Sequence, residues 1–408
     1  MTPPIDTHDN GLLDGLLVVD FSQFLAGPLA GLKLADFGAR VVKIERPEIG
    51  DLCRYLYLSD VEVHGANTLF HAINRNKQSY SANLKDKLDL EKVLKLCAKA
   101  DVVIQNFRPG IMEKLGLSFD QIKQINPGVV YASVSGYGED GDWKDLPGQD
   151  LLAQARSGLL WLSGDHGDAP TAMGLAVADQ LAGNIVVQGI LAALIRRGRS
   201  GQGAHIQTSL LEALVDFQFE VLTTHINDAE NRLPKRSAFN NAHAYLSAPY
   251  GVYPTSDGYV AIAMTPVDKL GEIVGSEALA AYADEKQWFE HRDEIKQRLA
   301  DHLKSDTTQH WMKLFVAKDI WASEVLQWPD LFQSTSFKAL HFFQELDLGQ
   351  GNSMQAMRSP IRVDGDVLNS ARPAPAIGEH NAEIDREFDL TTIEDQSITK
   401  GGFDEIVK

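Results

Sequence analysis

Asp179 stands where a short apolar run, Leu175-Ala-Val-Ala178, gives way to a long apolar helical pattern through Leu194. That spacing predicts a helix N-cap, where an aspartate accepts hydrogen bonds from unpaired backbone N–H groups and meets the positive end of the helix dipole. Two roles fit the residue. It is a plain cap, or it is an ionised carboxylate beside a row of N–H donors, a nucleophile with its oxyanion site built in. A second set of candidates is cationic. Asn106-Phe-Arg-Pro-Gly110 is followed by Lys114, and Arg46 and Lys85 lie beyond earlier strand patterns. An aromatic face with guanidinium and ammonium groups can hold a nucleotide and its phosphates. The same residue types also occur as core phenylalanine and solvated arginine.

Such groups need elements that bring distant loops together. Buried-strand runs at 16–21, 41–45, 79–83, 101–105 and 129–134 alternate with helical patterns at 28–37, 87–100 and 119–125. The alternation predicts an α/β fold with a parallel sheet covered on both faces. Ligands in such folds bind at the carboxyl ends of strands. The loops just beyond those ends are 22–26, Arg46, 106–110 and 135–138. After the helix that starts at Asp179, residues 205–209 read as a strand and 210–224 as a helix. Residues 226–242 are polar and aperiodic, a linker or an active-site loop. A hairpin at 250–253 and 259–263 and helices within 267–319 make a smaller unit. Residues 1–14 read as a loose arm, and the tail from 346 onward ends in a polar helix.

Several function classes are disfavoured. Gly136-Tyr-Gly-Glu-Asp-Gly141 has dinucleotide-fingerprint spacing, but it lies several strands into the chain and runs on into Trp143 and Pro147 rather than a helix. A loop at the strand end fits better. Asp36-Phe-Gly38 and His291-Arg-Asp293 imitate kinase signatures in reversed order, without the Gly-rich loop and strand lysine. The histidines show no metal-binding spacing, and Ser157 lacks the flanks of a nucleophile elbow. Cys53 and Cys97 make no disulfide framework. A formal charge of −18 argues against nucleic acid or an anionic membrane as partner. Without a signal pattern or an apolar run of about 18 residues, the expected location is cytoplasmic.

The arrangement resembles the class III coenzyme A transferases, the CaiB/BaiF-like family of formyl-CoA and carnitine CoA transferases, with the alpha-methylacyl-CoA racemases as relatives. The stretches that carry the resemblance are Val19-Asp-Phe-Ser, Ala26-Gly-Pro28, residues 34–46, Asn74-Arg-Asn-Lys77, Asn106-Phe-Arg-Pro-Gly110, Ser135-Gly-Tyr-Gly138, Asp179 with its helix, Gly201-Gln-Gly203, residues 248–253 and Gly378-Glu-His380. They run in order over most of residues 15–385. The resemblance implies an interlocked homodimer with a Rossmann-like large domain and a smaller α+β domain. The expected segments are 1–225 for the first part of the CoA-binding domain, 226–335 for the small domain with its linkers, and 336–408 for a tail returning to the large domain. It implies Asp179 as the catalytic nucleophile, passing through an aspartyl anhydride and an aspartyl-CoA thioester. The implied CoA and substrate contacts are Gln23, Leu25, Ala26, Arg46, Ala82, Lys85, Asn106, Phe107, Arg108, Lys114 and Gln149. Acyl-CoA and a free carboxylic acid are then substrates, with no metal and no cofactor beyond coenzyme A.

Two positions and one segment depart from relatives of that family. The racemases carry a histidine at the position of Gln149, and a glutamine amide cannot shuttle protons. Formyl-CoA transferases carry a glutamine at Leu25, a tyrosine at Gln149 and a glycine run where residues 237–243 stand here. Transfer between two carboxylic acids is therefore the expected reaction. The alternatives are an alpha-substituted acyl-CoA racemase or epimerase and a non-catalytic CoA-binding protein, with a dinucleotide oxidoreductase further off. Asn240, Asn241, His243 and Gln149 are polar groups available to read an acid.

Overall fold

The computed structural model describes residues 5–6, 11–56, 61–63, 66–370 and 372–390; most of the expected N-terminal arm lies outside them. The chain divides into two compact units. Unit 1 comprises residues 1–153, 177–213 and 340–408, and unit 2 comprises 154–176 and 214–339. Residues 154–176 and 214–225, grouped with the large domain on the sequence, thus cluster with the smaller one. The tail from residue 340 clusters with unit 1.

Unit 1 is built on six parallel strands: β1 (Leu17–Asp20), β2 (Arg40–Glu45), β3 (Gln78–Ser81), β4 (Val102–Gln105), β5 (Val130–Ser135) and β6 (Ala204–Ser209). Their order in space is β3-β2-β1-β4-β5-β6. This is the doubly wound order, and its direction reverses between β1 and β4, where a crevice opens at the carboxyl edge. β1 is buried along its whole length, as parallel strands covered on both faces must be. The core joins Val19, Val42, Tyr80, Leu96, Val103 and Tyr131 to Ile384 and Leu390 of the tail. Burying each such Leu or Ile side chain contributes about 1.5–3 kcal/mol. The tail helix Asn381–Glu387 covers the exposed edge at β3: His380 N donates to Ser79 O, and the Asn381 side chain bonds both peptide groups of Ser81.

Two helices position the site. α1 (Ala26–Asp36) starts six residues after β1 ends and tolerates Pro28 in its first turn, where no N–H partner is lost. α2 (Val177–Ser200) is long and apolar enough, by length and composition, to cross a bilayer. In unit 1 it instead turns Ala178, Ala182, Gly183, Val186, Ile190 and Ala193 inward at helical spacing against α1, β5 and β6. Gly183 permits the close approach, since a Cβ there would lie 2.8 Å from Ala26 O.

Unit 2 has the expected hairpin, β7 (Gly251–Pro254) with β8 (Tyr259–Ile262), and adds β9 (Ala322–Glu324) to the β8 edge. Its core gathers Tyr253, Val260, Leu270, Leu299, Trp311 and Phe315.

Candidate active site

Asp179 is the third residue of α2 and not its cap. The capping carboxylate is Asp150, which returns from a distant loop; its Oδ1 accepts from Ala178 N at 2.7 Å and Asp179 N at 3.3 Å. Gly136 and Gly148 make that return possible. Each would place a Cβ within about 2.5 Å of the other's Cα, so the 137–147 excursion closes on itself and delivers Gln149 and Asp150 beside the end of β5. The fingerprint-like glycines therefore shape a loop, as expected.

With its own helix end capped by another residue, the Asp179 side chain faces the Ala26 N–H, which favours its ionised form. Ala26 opens α1, which has no side-chain cap and no acid in its first turn. Asp179 thus supplies the negative charge that this second helix end favours. Its protonation differs from the sequence expectation of a carboxylate held firmly ionised. Burial pushes Asp179 up to about 7 and the Asp150 charge adds to the rise, while the Ala26 N–H opposes both.

The turn that carries Ala26 is gripped by buried polar side chains that sequence reasoning did not assign. Asp20 Oδ1 accepts from Ser22 N at 2.9 Å and from the Ser22 hydroxyl, and Asp20 Oδ2 from Lys77 Nζ at 3.0 Å. Lys43 Nζ donates to Ser22 O at 2.6 Å and pairs with Asp51 at 2.9 Å. Asp51 accepts from Phe24 N at 3.1 Å and Cys53 N at 2.9 Å. Asn106 accepts from Gln23 N at 2.8 Å and donates to Gln23 O at 2.7 Å, stapling the loops on either side of the crevice. The signal in the sequence was charge inside apolar strands: a lysine and a glutamate in Val-Val-Lys-Ile-Glu45 must find partners if the strand is buried.

The other expected contacts lie along the same carboxyl edge. Ala82 N donates to Glu45 O at 2.9 Å, which keeps Arg46 and the 82–85 segment side by side beyond β2 and β3. Arg46 and Lys85 are exposed there. Gln23, Leu25, Ala26 and Asn106 stand at the crevice. Arg108 and Lys114 are exposed on its other side, in the loop and short helix after β4. Phe107 is half-buried and packs on the unit 1 core while lining a cavity of about 240 Å³ with Arg108, Ser133 and His205. Gln149 is exposed immediately before Asp150. Among the described residues no group of His, Cys, Asp and Glu is placed to hold a metal ion.

The 236–243 segment belongs to unit 2 and is pinned within it. The Asn241 amide accepts from Ser237 N and donates to Gly164 O, Arg236 donates to Ser163 O and Asp168 O, and Lys296 Nζ reaches Ser237 Oγ at 2.9 Å. Asn241 is therefore committed to loop structure, which removes it from the residues available to read an acid.

Residues 13–381 match the family described as CoA-transferase family III. The chain is 34% identical to the succinate–glutarate CoA-transferase of Agrobacterium fabrum, covering 94% of this chain and 96% of that one. It is 30% identical to the acetyl-CoA:oxalate CoA-transferase of Acetobacter aceti, over 95% and 98%. Among solved structures, a CaiB/BaiF family protein from Brucella suis superposes with a TM-score of 0.79 at 33% identity, covering 93% of this chain and 100% of that one. A mutant of Rv3272 from Mycobacterium tuberculosis gives 0.80 at 29% identity, over 91% and 98%. With a doubly wound sheet, a half-buried aspartate at two helix ends and this match over nearly its whole length, the chain belongs to CoA-transferase family III and is a CoA-transferase.

Proposed function

We propose that Asp179 carries CoA from an acyl-CoA donor to a free carboxylic acid. The observation behind this reading is its carboxylate, set in the first turn of α2 and facing the N–H that opens α1, which favours its ionised form. The ionised carboxylate attacks the donor thioester carbonyl; the C–S bond breaks, leaving an aspartyl–acyl anhydride and CoA thiolate. The thiolate attacks the aspartyl carbonyl, releasing the donor acid and forming aspartyl-CoA. The acceptor carboxylate then attacks that thioester, and the freed thiolate takes the acceptor's acyl group and restores Asp179. No net proton is consumed. An N–H fixed on the Asp179 carboxyl oxygen stabilises the oxyanion that forms whenever the aspartyl carbonyl is attacked. Arg46, Lys85, Arg108 and Lys114 would hold the CoA phosphates along the sheet edge.

The acids are proposed to be small dicarboxylates, the class named for the succinate–glutarate, oxalate and mesaconate relatives. A second copy of the chain is the proposed partner, interlocked as the resemblance implies. Exposed Phe219, Ile226, Leu233 and Trp328 in unit 2 supply apolar surface for such a partner to cover.

Incubation with succinyl-CoA and a panel of dicarboxylic acids, read by mass spectrometry, tests the reading. New acyl-CoA products and a CoA adduct on the peptide containing Asp179 are expected. Deuterium entering the alpha carbon without any exchange would replace it with the racemase reading, which Gln149 disfavours.

The same assay has an expected pH dependence. Because Asp179 must be ionised to attack and lies near 7, the rate rises with pH through about 7. In Asp150→Asn the cap survives, since asparagine also accepts from Ala178 N. The like charge is gone, Asp179 ionises more readily, and the acid limb moves to lower pH, by roughly half a unit to one unit. A limb that stays in place would mean that the Asp150 charge does not govern Asp179.

A further inference from the structure

We infer that Lys43 and Asp51 are positioning residues: together they hold the 22–26 turn in the shape that carries the Ala26 N–H to Asp179. This rests on the proposed role of Asp179.

The pair grips the turn at two points, Lys43 on the carbonyl of Ser22 and Asp51 on the N–H of Phe24. Between them the chain must pass through an unfavourable conformation. Phe24 has φ +63°, a left-handed backbone that bulky L residues rarely adopt. Its side chain is 46% exposed, so burial of the ring does not compensate for the strained backbone. No glycine in Ser22-Gln-Phe-Leu25 makes the turn easy. The hydrogen bonds from outside the turn hold it.

Asp51 also caps the Leu52–Tyr55 turn through Cys53 N, and Lys43 also faces Asp20, so the pair ties the 22–26 turn to its two neighbours. Both side chains are fully buried, and a buried ion pair is often replaceable by apolar groups without loss of stability. Asp51 is held in turn by Glu45, which accepts its N–H at 2.9 Å and is clamped by Arg54 at 2.8–2.9 Å. Rigid side chains are thus stacked behind a turn whose far end is the first N–H of α1. The charged group facing Asp179 is Asp150, while the Lys43–Asp51 pair is neutral overall. Its influence on Asp179 runs through the Ala26 N–H, which stabilises the ionised form.

The test uses the charge-neutral double variant Lys43→Met/Asp51→Asn and the single Asp51→Asn, in case the double does not fold. Single-turnover formation of the aspartyl-CoA adduct is followed against pH with succinyl-CoA as donor, and rates are scaled to the folded fraction. With the Ala26 N–H no longer held on it, Asp179 binds its proton more tightly, and the acid limb moves to higher pH by about half a unit to one unit. The plateau rate falls roughly tenfold or more as the nucleophile loses its fixed geometry. Adding Phe24→Gly, which accepts the left-handed backbone without help, recovers part of that rate. A role in folding alone would scale all rates equally and leave the limb in place, and that result overturns the inference. Asp179→Asn separates the two layers. If it still forms product, the nucleophile reading has failed; if it is inactive while the limb of the pair variants is unmoved, only the positioning role falls.

Discussion

Asp179→Asn is expected to lose CoA exchange by at least about a thousandfold while remaining folded, because deleting a covalent nucleophile removes every step built on it. Asparagine matches the aspartate in shape and still accepts the Ala26 N–H, so the helix contacts survive. It cannot form an anhydride. Asp179→Glu keeps the charge but displaces it by a methylene, and a misplacement of about 1 Å costs roughly a hundredfold. Stability should move the other way. The folded-state pKa of Asp179 is raised to about 7, above that of an unfolded aspartate. Its protonated form therefore favours the fold fully at low pH, and that contribution is lost as pH rises through about 7. At pH 8 the wild-type carboxylate is a half-buried charge beside Asp150 that costs stability, and the uncharged asparagine is free of that cost. The urea midpoint of Asp179→Asn at pH 8 is thus expected to equal or exceed that of the wild type. An inactive variant with a lowered midpoint would indicate a structural role instead. Residual exchange above about a tenth of the parent rate, well outside the expected loss, would remove Asp179 from the chemistry.

Which parts were legible in the sequence follows from the range of the forces involved. Leu-Leu-Val-Val-Asp-Phe21 and Val-Val-Lys-Ile-Glu45 could be read as strands because double-sided burial leaves a continuous apolar run. The 119–125 helix, read from its pattern, is also fixed by a local device, the capping box of Ser118 with Gln121. The cap of α2 was misassigned for the opposite reason. A local rule saw an aspartate at the start of an apolar helix, whereas the true cap is Asp150, 29 residues upstream and delivered by contact between two glycines. The ionic grip on the 22–26 turn was hidden in the same way, since Lys43, Asp51 and Lys77 meet Asp20 and Ser22 only after the parallel sheet is assembled. Asn241 resembled a substrate-reading residue because a polar loop residue has the same signature whether it faces a ligand or a carbonyl.

Lys77→Met is expected to destabilise unit 1 by about 3–5 kcal/mol, the cost of removing one partner from a buried pair. The Lys77 ammonium has three donors and all are used: Asp20 Oδ2 at 3.0 Å, Pro28 O at 2.8 Å and Asn74 Oδ1 at 3.0 Å. Burial draws its pKa down to about 8 and the Asp20 charge resists the fall, so it is mostly protonated at neutral pH. Asp20 is held ionised, below the usual range, because Lys77, Lys43 and the Ser22 hydroxyl together outweigh its desolvation. Methionine fills a similar volume but leaves Asp20 with a weaker counter-charge and Pro28 O without its donor. The effect reaches the site, because Asp20 fixes Ser22 and Pro28 lies in the first turn of α1, two residues beyond Ala26. Urea unfolding at pH 7 should therefore show a midpoint shift far larger than that of Asp179→Asn. The exchange activity of the fraction still folded should also fall, as the α1 end loosens. The double variant Lys77→Met/Asp20→Asn removes both charges and should recover much of the stability, since the uncompensated carboxylate and not the missing contact carries most of the cost. If the double is no more stable than the single, the energy lies in the lysine's hydrogen bonds to Pro28 and Asn74.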